Sequence, residues 1–243
     1  MNQKSDLPNI LGIITARGGS KGIPRKNLKL LCGKPLIYYT IKIAKESKML
    51  TRVILSSDDN EIIEISRRYG IDVPFIRPKE LARDETPHLP VVLHALNFVE
   101  KEEGKKYDYI AILQPTNPLR KAGDIDGALI KLIETGADSV ITYFKVEDLH
   151  PLWMSKIIDD RVYPLLEVKN KITRRQELPP VYMRSGAVYA VSRDTIKNKS
   201  SLYGEDQRPY IIPWWRGRNI DESWEFALAE ILLEWEKNGL LKA

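Results

Sequence analysis

The chain has 243 residues, 43% of them hydrophobic and 29% charged, which is enough to bury the core of one α/β domain and is not the balance of a disordered chain. Its 38 Lys+Arg against 33 Asp+Glu leave a formal charge of +5; the two signs are interspersed, which suits a small anionic substrate and argues against a nucleic-acid-binding surface. The single cysteine, Cys32, excludes an intrachain disulfide and a Cys-based zinc site, and is expected to be a buried thiol. No apolar run reaches the roughly 18 residues that span a bilayer, and the first residues lack the charged-then-apolar order of a secretory signal, so no membrane partner is expected and the cytoplasm is the expected compartment.

Apolar runs and helical patterns alternate along the chain. Ile10 to Thr15 reads as a strand and is closed by the Gly-rich segment Arg17 to Gly22. Pro35 to Lys45 reads as a helix with Pro35 in its first turn. Arg52 to Ser56 is a second strand, Asn60 to Tyr69 a helix with Asn60 as N-cap, and Asp72 to Ile76 a short strand. Pro90 to Glu102 is helical, with Val91, Leu93, Ala95, Leu96 and Val99 on its apolar face. Tyr109 to Leu113 is a buried strand, Asp124 to Glu134 a helix, and Ser139 to Phe144 another strand. Turn signals dominate 145–183, which reads as an insertion packed over one sheet edge. Alternation resumes with the strand Ala187 to Ser192 and ends on the helix Glu222 to Lys237, whose Trp224 and Trp235 are expected in the core. This rhythm predicts an α/β, three-layer, Rossmann-like sheet with helices on both faces, and a small insertion subdomain.

The segment Ala16-Arg17-Gly18-Gly19-Ser20-Lys21-Gly22-Ile23-Pro24-Arg25-Lys26-Asn27 follows the first strand directly. Ligands of open α/β sheets bind beyond the carboxyl ends of strands. Glycines let backbone N–H groups approach phosphate oxygens, and Arg17, Lys21, Arg25 and Lys26 supply positive charge with no acidic residue among them. The segment is neither GxxxxGK[ST] nor GxGxxG, which disfavours a P-loop and a nicotinamide cofactor. Ser56-Ser57-Asp58-Asp59 reads as an Asp-rich turn and helix cap, and His94 and His150 show no metal-ligand spacing.

This segment resembles the N-terminal signature of the acylneuraminate cytidylyltransferase family, whose members make CMP-activated sialic acid and its bacterial pseudaminate and legionaminate relatives. Further segments match in order: Arg77-Pro78-Lys79-Glu80-Leu81-Ala82, Gln114-Pro115-Thr116-Asn117-Pro118-Leu119-Arg120, Arg175-Gln176-Glu177-Leu178-Pro179, Gly186-Ala187-Val188-Tyr189 and Asn219-Ile220-Asp221. The resemblance runs from about Ile10 to Glu230. It implies a nucleotidyltransferase that moves CMP from CTP to the anomeric hydroxyl of an acidic nonulosonate sugar and releases pyrophosphate. By resemblance, Arg17, Ser20 and Lys21 hold the CTP phosphates with help from Lys26. Asn27 and Arg77 sit at the cytidine, and His88 faces the nucleotide. Gln114, Arg175 and Tyr189 meet the sugar, and Asp221 with Asn219 stands where the family binds Mg²⁺. Arg17, Lys21 and Asp221 are the expected catalytic residues, and 145–183 the expected contact of a homodimer.

Three positions depart from the family pattern. Asn219 replaces one of a usual pair of aspartates, and Met183 and Ser185 stand where Arg and Asn are common. The nucleotide half therefore matches better than the acceptor half. Two alternatives follow: the same reaction on a different acid, or a nucleotide-binding homologue with impaired catalysis.

Overall fold

The computed structural model describes residues 8–146, 149–166 and 174–241. The first strand, β1 (Ile10–Thr15), leads through the Gly-rich segment to a small hairpin, β2 (Leu30–Leu31) and β3 (Lys34–Pro35). Helix α1 (Leu36–Glu46), β4 (Arg52–Ser56) and α2 (Asn60–Arg68) follow. Next come α3 (His88–Glu103), β5 (Tyr109–Leu113), α4 (Ala122–Thr135) and β6 (Ser139–Lys145). A second hairpin, β7 (Ser155–Ile158) and β8 (Arg161–Pro164), precedes the long β9 (Tyr182–Ser192). Helix α5 (Arg193–Lys197), β10 (Gln207–Ile211) and α6 (Ser223–Lys237) complete the order.

Among the described residues, six strands form one sheet in the order β10-β6-β9-β5-β1-β4. All neighbours pair in parallel except β9, which lies antiparallel between β5 and β6. Both faces are covered, so the central strands are apolar at nearly every position. In β1, Ile10 and Ile14 face the layer of α1, α2 and α4, where they meet Ile37, Ile41, Ile62 and Leu129. Leu11 and Ile13 face the α3 and α5 layer, with Val92, Leu96, Val99 and Ile196. Each such side chain contributes about 1.5–3 kcal/mol on burial. Among the described residues, no helix is long and apolar enough to cross a membrane.

Several expectations need correcting. Asp59, not Asn60, caps α2, its carboxylate accepting from Ile62 N–H at 3.0 Å. Pro35 lies in β3 and precedes α1 rather than entering its first turn. The strand expected at 72–76 shrinks to one bridge between Asp72 and Ile54. Cys32 is exposed. It forms the two-residue turn of the β2–β3 hairpin with Gly33, and both have positive φ, 46° and 77°, as a type I′ turn requires. An apolar neighbour, Leu31, had hidden that turn. Trp224 and Trp235 are also exposed, at 61% and 48%, while Phe226, Ala229 and Leu232 face the core. The helical period was sound, but the buried stripe is rotated about the helix axis from the one expected.

In the expected insertion, β6 runs on to Lys145 and β9 begins already at Tyr182. Every residue of β7 and β8 is exposed.

Candidate functional site

Strand order sets the site. From β1 the chain passes to β4 on one side, then returns to place β5 on the other. The crevice at the carboxyl ends of β1 and β5 is therefore a topological switch point, where open α/β sheets bind ligands. A cavity of about 410 Å³ lies there, with walls that include Thr15 at the end of β1 and Gln114 just past β5.

The Gly-rich segment is held in shape by its neighbours. Ala16 N–H donates to Ser56 O at 3.0 Å, and Gly18 N–H donates to Asp58 Oδ1 at 3.0 Å. A Cβ on Gly18 would fall 2.7 Å from Asp59 Oδ2, so only glycine permits this approach. Asn27, 9% exposed, donates through Nδ2 to Arg17 O at 2.9 Å. Arg25 turns away in a left-handed conformation, φ 56°, and pairs with Asp59 and Glu61. It thus closes the loop onto the start of α2 instead of adding charge to the cavity. The Asp-rich turn read as a cap also shapes this loop.

Arg17, Lys26, Arg77 and Arg83 line the cavity, against the carboxylates of Asp84 and Asp221. Arg17 reaches Asp84 at 2.7 Å and donates to Arg83 O at 2.9 Å. Lys21 also meets Asp84, at 3.1 Å, but is 78% exposed and lies off the cavity wall. Arg77 is 5% exposed and donates from Nε to Ser56 Oγ at 3.0 Å. Burial lowers its pKa to about 10, which still leaves it charged at neutral pH. His88 opens α3 on the same wall, with Nε2 3.1 Å from Thr15 Oγ1. Burial, then the nearby Arg77, push its pKa down to about 4, so the ring is neutral at pH 7.

The opposite wall comes from the segment before α6. Ile220 N–H donates to Thr116 O at 2.8 Å, and Asn117 Nδ2 donates to Arg216 O and Arg218 O at 2.9 and 3.1 Å. These bonds lay 216–220 across the end of β5 and bring Asn219 and Asp221 to the cavity. Lys26 Nζ bonds Ile220 O at 2.6 Å and Asp221 Oδ1 at 2.9 Å. A side chain at Gly22 would collide with Asp221 O, and one at Gly186 would fall 2.6 Å from Gln114 Oε1 and 2.8 Å from Asn219 Oδ1. The two glycines let the phosphate loop and β9 close on this segment. Asn219 Oδ1 is buried and has no hydrogen-bond partner among the described residues.

The cavity thus brings together Arg17, Ser20, Lys26, Asn27, Arg77, His88, Gln114, Asn219 and Asp221. Tyr189 lies elsewhere: 8% exposed, it packs in the α3-side core and pairs in register with Ile112 and Ile141. Arg175 opens the turn Arg175–Glu177, and its side chain lies outside the described residues.

The family model described as cytidylyltransferase matches residues 11–203. The chain belongs to this family. Relatives of this cytidylyltransferase-family chain include CMP-N,N'-diacetyllegionaminic acid synthase of Legionella pneumophila, 31% identical, the match covering 96% of this chain and 99% of the relative. Pseudaminic acid cytidylyltransferase of Campylobacter jejuni is 32% identical, with 91% and 95% covered. A solved CMP:2-keto-3-deoxy-manno-octonic acid synthetase complexed with CTP shares the fold at a TM-score of 0.71 and 18% identity, over 94% of this chain and 99% of that one.

Two residues of this cytidylyltransferase-family site carry structural roles that the motifs did not reveal. Arg120 is 1% exposed and donates to Ala187 O, to Gln114 O and, at 3.1 Å, to Thr40 Oγ1. It locks the turn that carries Gln114 onto β9 and α1. Burial lowers its pKa to about 9, with Asp124 acting in the opposite direction. Asn117 works similarly on the Asn219 segment. Both sit in the Gln-Pro-Thr-Asn-Pro-Leu-Arg motif, where only a buried position could have betrayed them.

Proposed function

We propose that the chain transfers CMP from CTP to the anomeric hydroxyl of an acidic nonulosonate sugar and releases pyrophosphate. The observation that carries the reading is the cavity itself: Arg17, Lys26 and Arg77 face Gln114, Asn219 and Asp221 across a switch-point crevice. Full-length similarity to a legionaminic and a pseudaminic acid enzyme supports the acceptor class.

In this mechanism the triphosphate displaces the Asp84 carboxylate from Arg17 and Lys21, and Ser20 adds a hydroxyl donor. Neutral His88 and the fixed guanidinium of Arg77 face the cytidine, with Asn27 holding the loop beside it. Gln114 orients the sugar. The sugar's anomeric oxygen forms its bond to the α-phosphorus as the bond to the bridging oxygen breaks; the electron pair leaves with pyrophosphate, and the hydroxyl proton passes to solvent. Arg17 and Lys26 neutralise the charge that builds on the departing group, so catalysis is mainly positioning and electrostatics.

Mg²⁺ is the proposed cofactor. It takes oxygen ligands, keeps several waters and needs only one or two protein groups beside substrate phosphates. The residues fit: the exposed Asp221 carboxylate and the unpartnered Asn219 Oδ1 share one wall, two positions apart. Among the described residues no cluster of three or more His, Cys, Asp or Glu offers an all-protein cage. When bound, the ion would neutralise phosphate charge and orient the leaving group. Lys26 would then exchange its Asp221 contact for phosphate oxygens.

The proposed assembly is a homodimer, supported by the exposed Ile157 and Val162 of the β7–β8 hairpin, 75% and 70% exposed. The proposed compartment is the cytoplasm, which supplies CTP. Pyrophosphate release with CTP, Mg²⁺ and a panel of nonulosonic acids tests the reaction, and CTP is expected to exceed ATP, GTP and UTP. Asp221→Ala should abolish Mg²⁺-dependent turnover, while Asn219→Asp should lower the Mg²⁺ needed for half-maximal rate. CTP binding with no turnover on any acid would favour the impaired homologue that Asn219 raises.

A further inference from the structure

A second cavity, of about 460 Å³, lies beside the first, at the junction of β6, β9 and the 214–218 turn. Its walls include Phe144, Met154, Met183 and Trp214, with Arg218 among them. Small-ligand sites fall in this size range, and are apolar with a few placed polar groups. The Arg218 guanidinium carbon lies 5.6 Å from the Phe144 ring centre and 5.8 Å from that of Trp214. Its Nε is buried and has no hydrogen-bond partner among the described residues. A buried donor of this kind is costly unless something accepts from it. No acidic side chain is among the described residues that line the chamber.

The chamber is linked to the first cavity by two chain segments. Arg218 lines one and its neighbour Asn219 the other. Along β9, Met183 lines the chamber, and Gly186, three residues on, lies against Gln114 and Asn219. Three residues of strand span about 10 Å, comparable to the length of a nine-carbon sugar acid. We propose that this chamber is a subsite for acylamido substituents on the far end of the acceptor: Arg218 Nε–H donates to an acyl carbonyl oxygen while Met183 and Trp214 pack on the acyl methyl groups. The inference rests on the proposed reaction for the identity of the sugar's other end. It makes the chamber the part of the protein that separates acylated acids from acids of the same skeleton bearing only hydroxyls.

The test compares an N-acylated nonulosonic acid with its hydroxyl-only counterpart, at saturating CTP and Mg²⁺. The unaltered protein should favour the acylated acid in kcat/KM. Arg218→Met and Trp214→Ala should raise KM for the acylated acid about 10- to 100-fold, leave KM for CTP unchanged, and erase the preference. Met183→Arg, at a position 56% exposed and so tolerant of charge, should do the same by filling the chamber. Thermal-shift titration with each acid alone provides a second readout. Normal turnover with an unchanged acceptor KM in all three variants overturns the subsite and leaves the reaction standing. Stabilisation by the acylated acid that Met183→Arg abolishes, without turnover on any acid, upholds the subsite and overturns the reaction. Absence of both binding and turnover overturns both.

Discussion

The crevice and the chamber beside it, the proposed nucleotide and acceptor ends of the site, are built differently. Around the nucleotide end, side chains are tied to backbone: Asn27 to Arg17 O, Asp58 to Gly18 N–H, and buried Arg77 to Ser56. Glycine leaves just enough room for Asp59. Around the acceptor end, Met183 and Trp214 are about half exposed and the β7–β8 hairpin is wholly exposed. Fixed dipoles suit a partner whose shape never varies, such as a triphosphate, because they need no reorganisation as charge develops. An adjustable apolar surface with flexible Met side chains suits a partner that differs between related enzymes.

The largest expected effect lies at the rigid end. Arg17→Ala should lower turnover about 10²–10³-fold with little change in melting temperature. Lys21→Ala should cost far less, since Lys21 is 78% exposed and off the cavity wall. Steady-state kinetics on both variants decide this, and equal losses would show that the loop closes over the ligand and equalises the two.

A smaller effect should report how dry that end is. His88 holds its proton less tightly when folded, at about 4 against an ordinary 6.5. The folded state therefore binds fewer protons, so its stabilising share is full above pH 6.5 and is lost as pH falls toward 4. Comparing His88→Gln with the unaltered protein, the stability difference should move toward the variant between pH 7 and 4 by on the order of 3 kcal/mol. Denaturant titrations across that range check it, and a flat difference would mean the ring is already wet.

The smallest effect belongs to α6, which follows the Asn219–Asp221 wall. Trp224→Gln and Trp235→Gln should each change monomer stability by less than about 0.5 kcal/mol, whereas Leu232→Ala should cost about 2–5 kcal/mol. Urea melts of the three variants measure it.

These residues also show what could be read before the structure. The bounds of β1 and β5 followed from nearly continuous apolar runs, because a strand buried on both faces has few polar positions to blur its ends. Strand β10 left no such trace. It is an edge strand with alternating exposure and Pro209 in its middle, the one place where a sheet tolerates proline. The α6 tryptophans misled because a helical period fixes which residues share a face but not which face turns inward. At the site, the glycines and cations of 16–27 announced an anion. That Arg25 would leave for Asp59 and Glu61, and that Arg83 would join the wall, depended on contacts between segments distant in sequence. No local pattern encodes these.

The antiparallel position of β9 has a consequence for how the chain is made. During synthesis β1, β4, β5 and β6 all emerge before β9, yet β5 and β6 are joined only through it, with Tyr109 meeting Ser192 and Ser139 meeting Val191. Until residue 192 clears the ribosome, two strands that end up in the middle of the sheet each present an open, apolar edge. Pairing over such separations is slow, and unpaired edges invite association with other chains. At about 5–20 residues per second, the chain waits several seconds between finishing β6 and finishing β9. In that interval a nascent-chain chaperone has the most to protect.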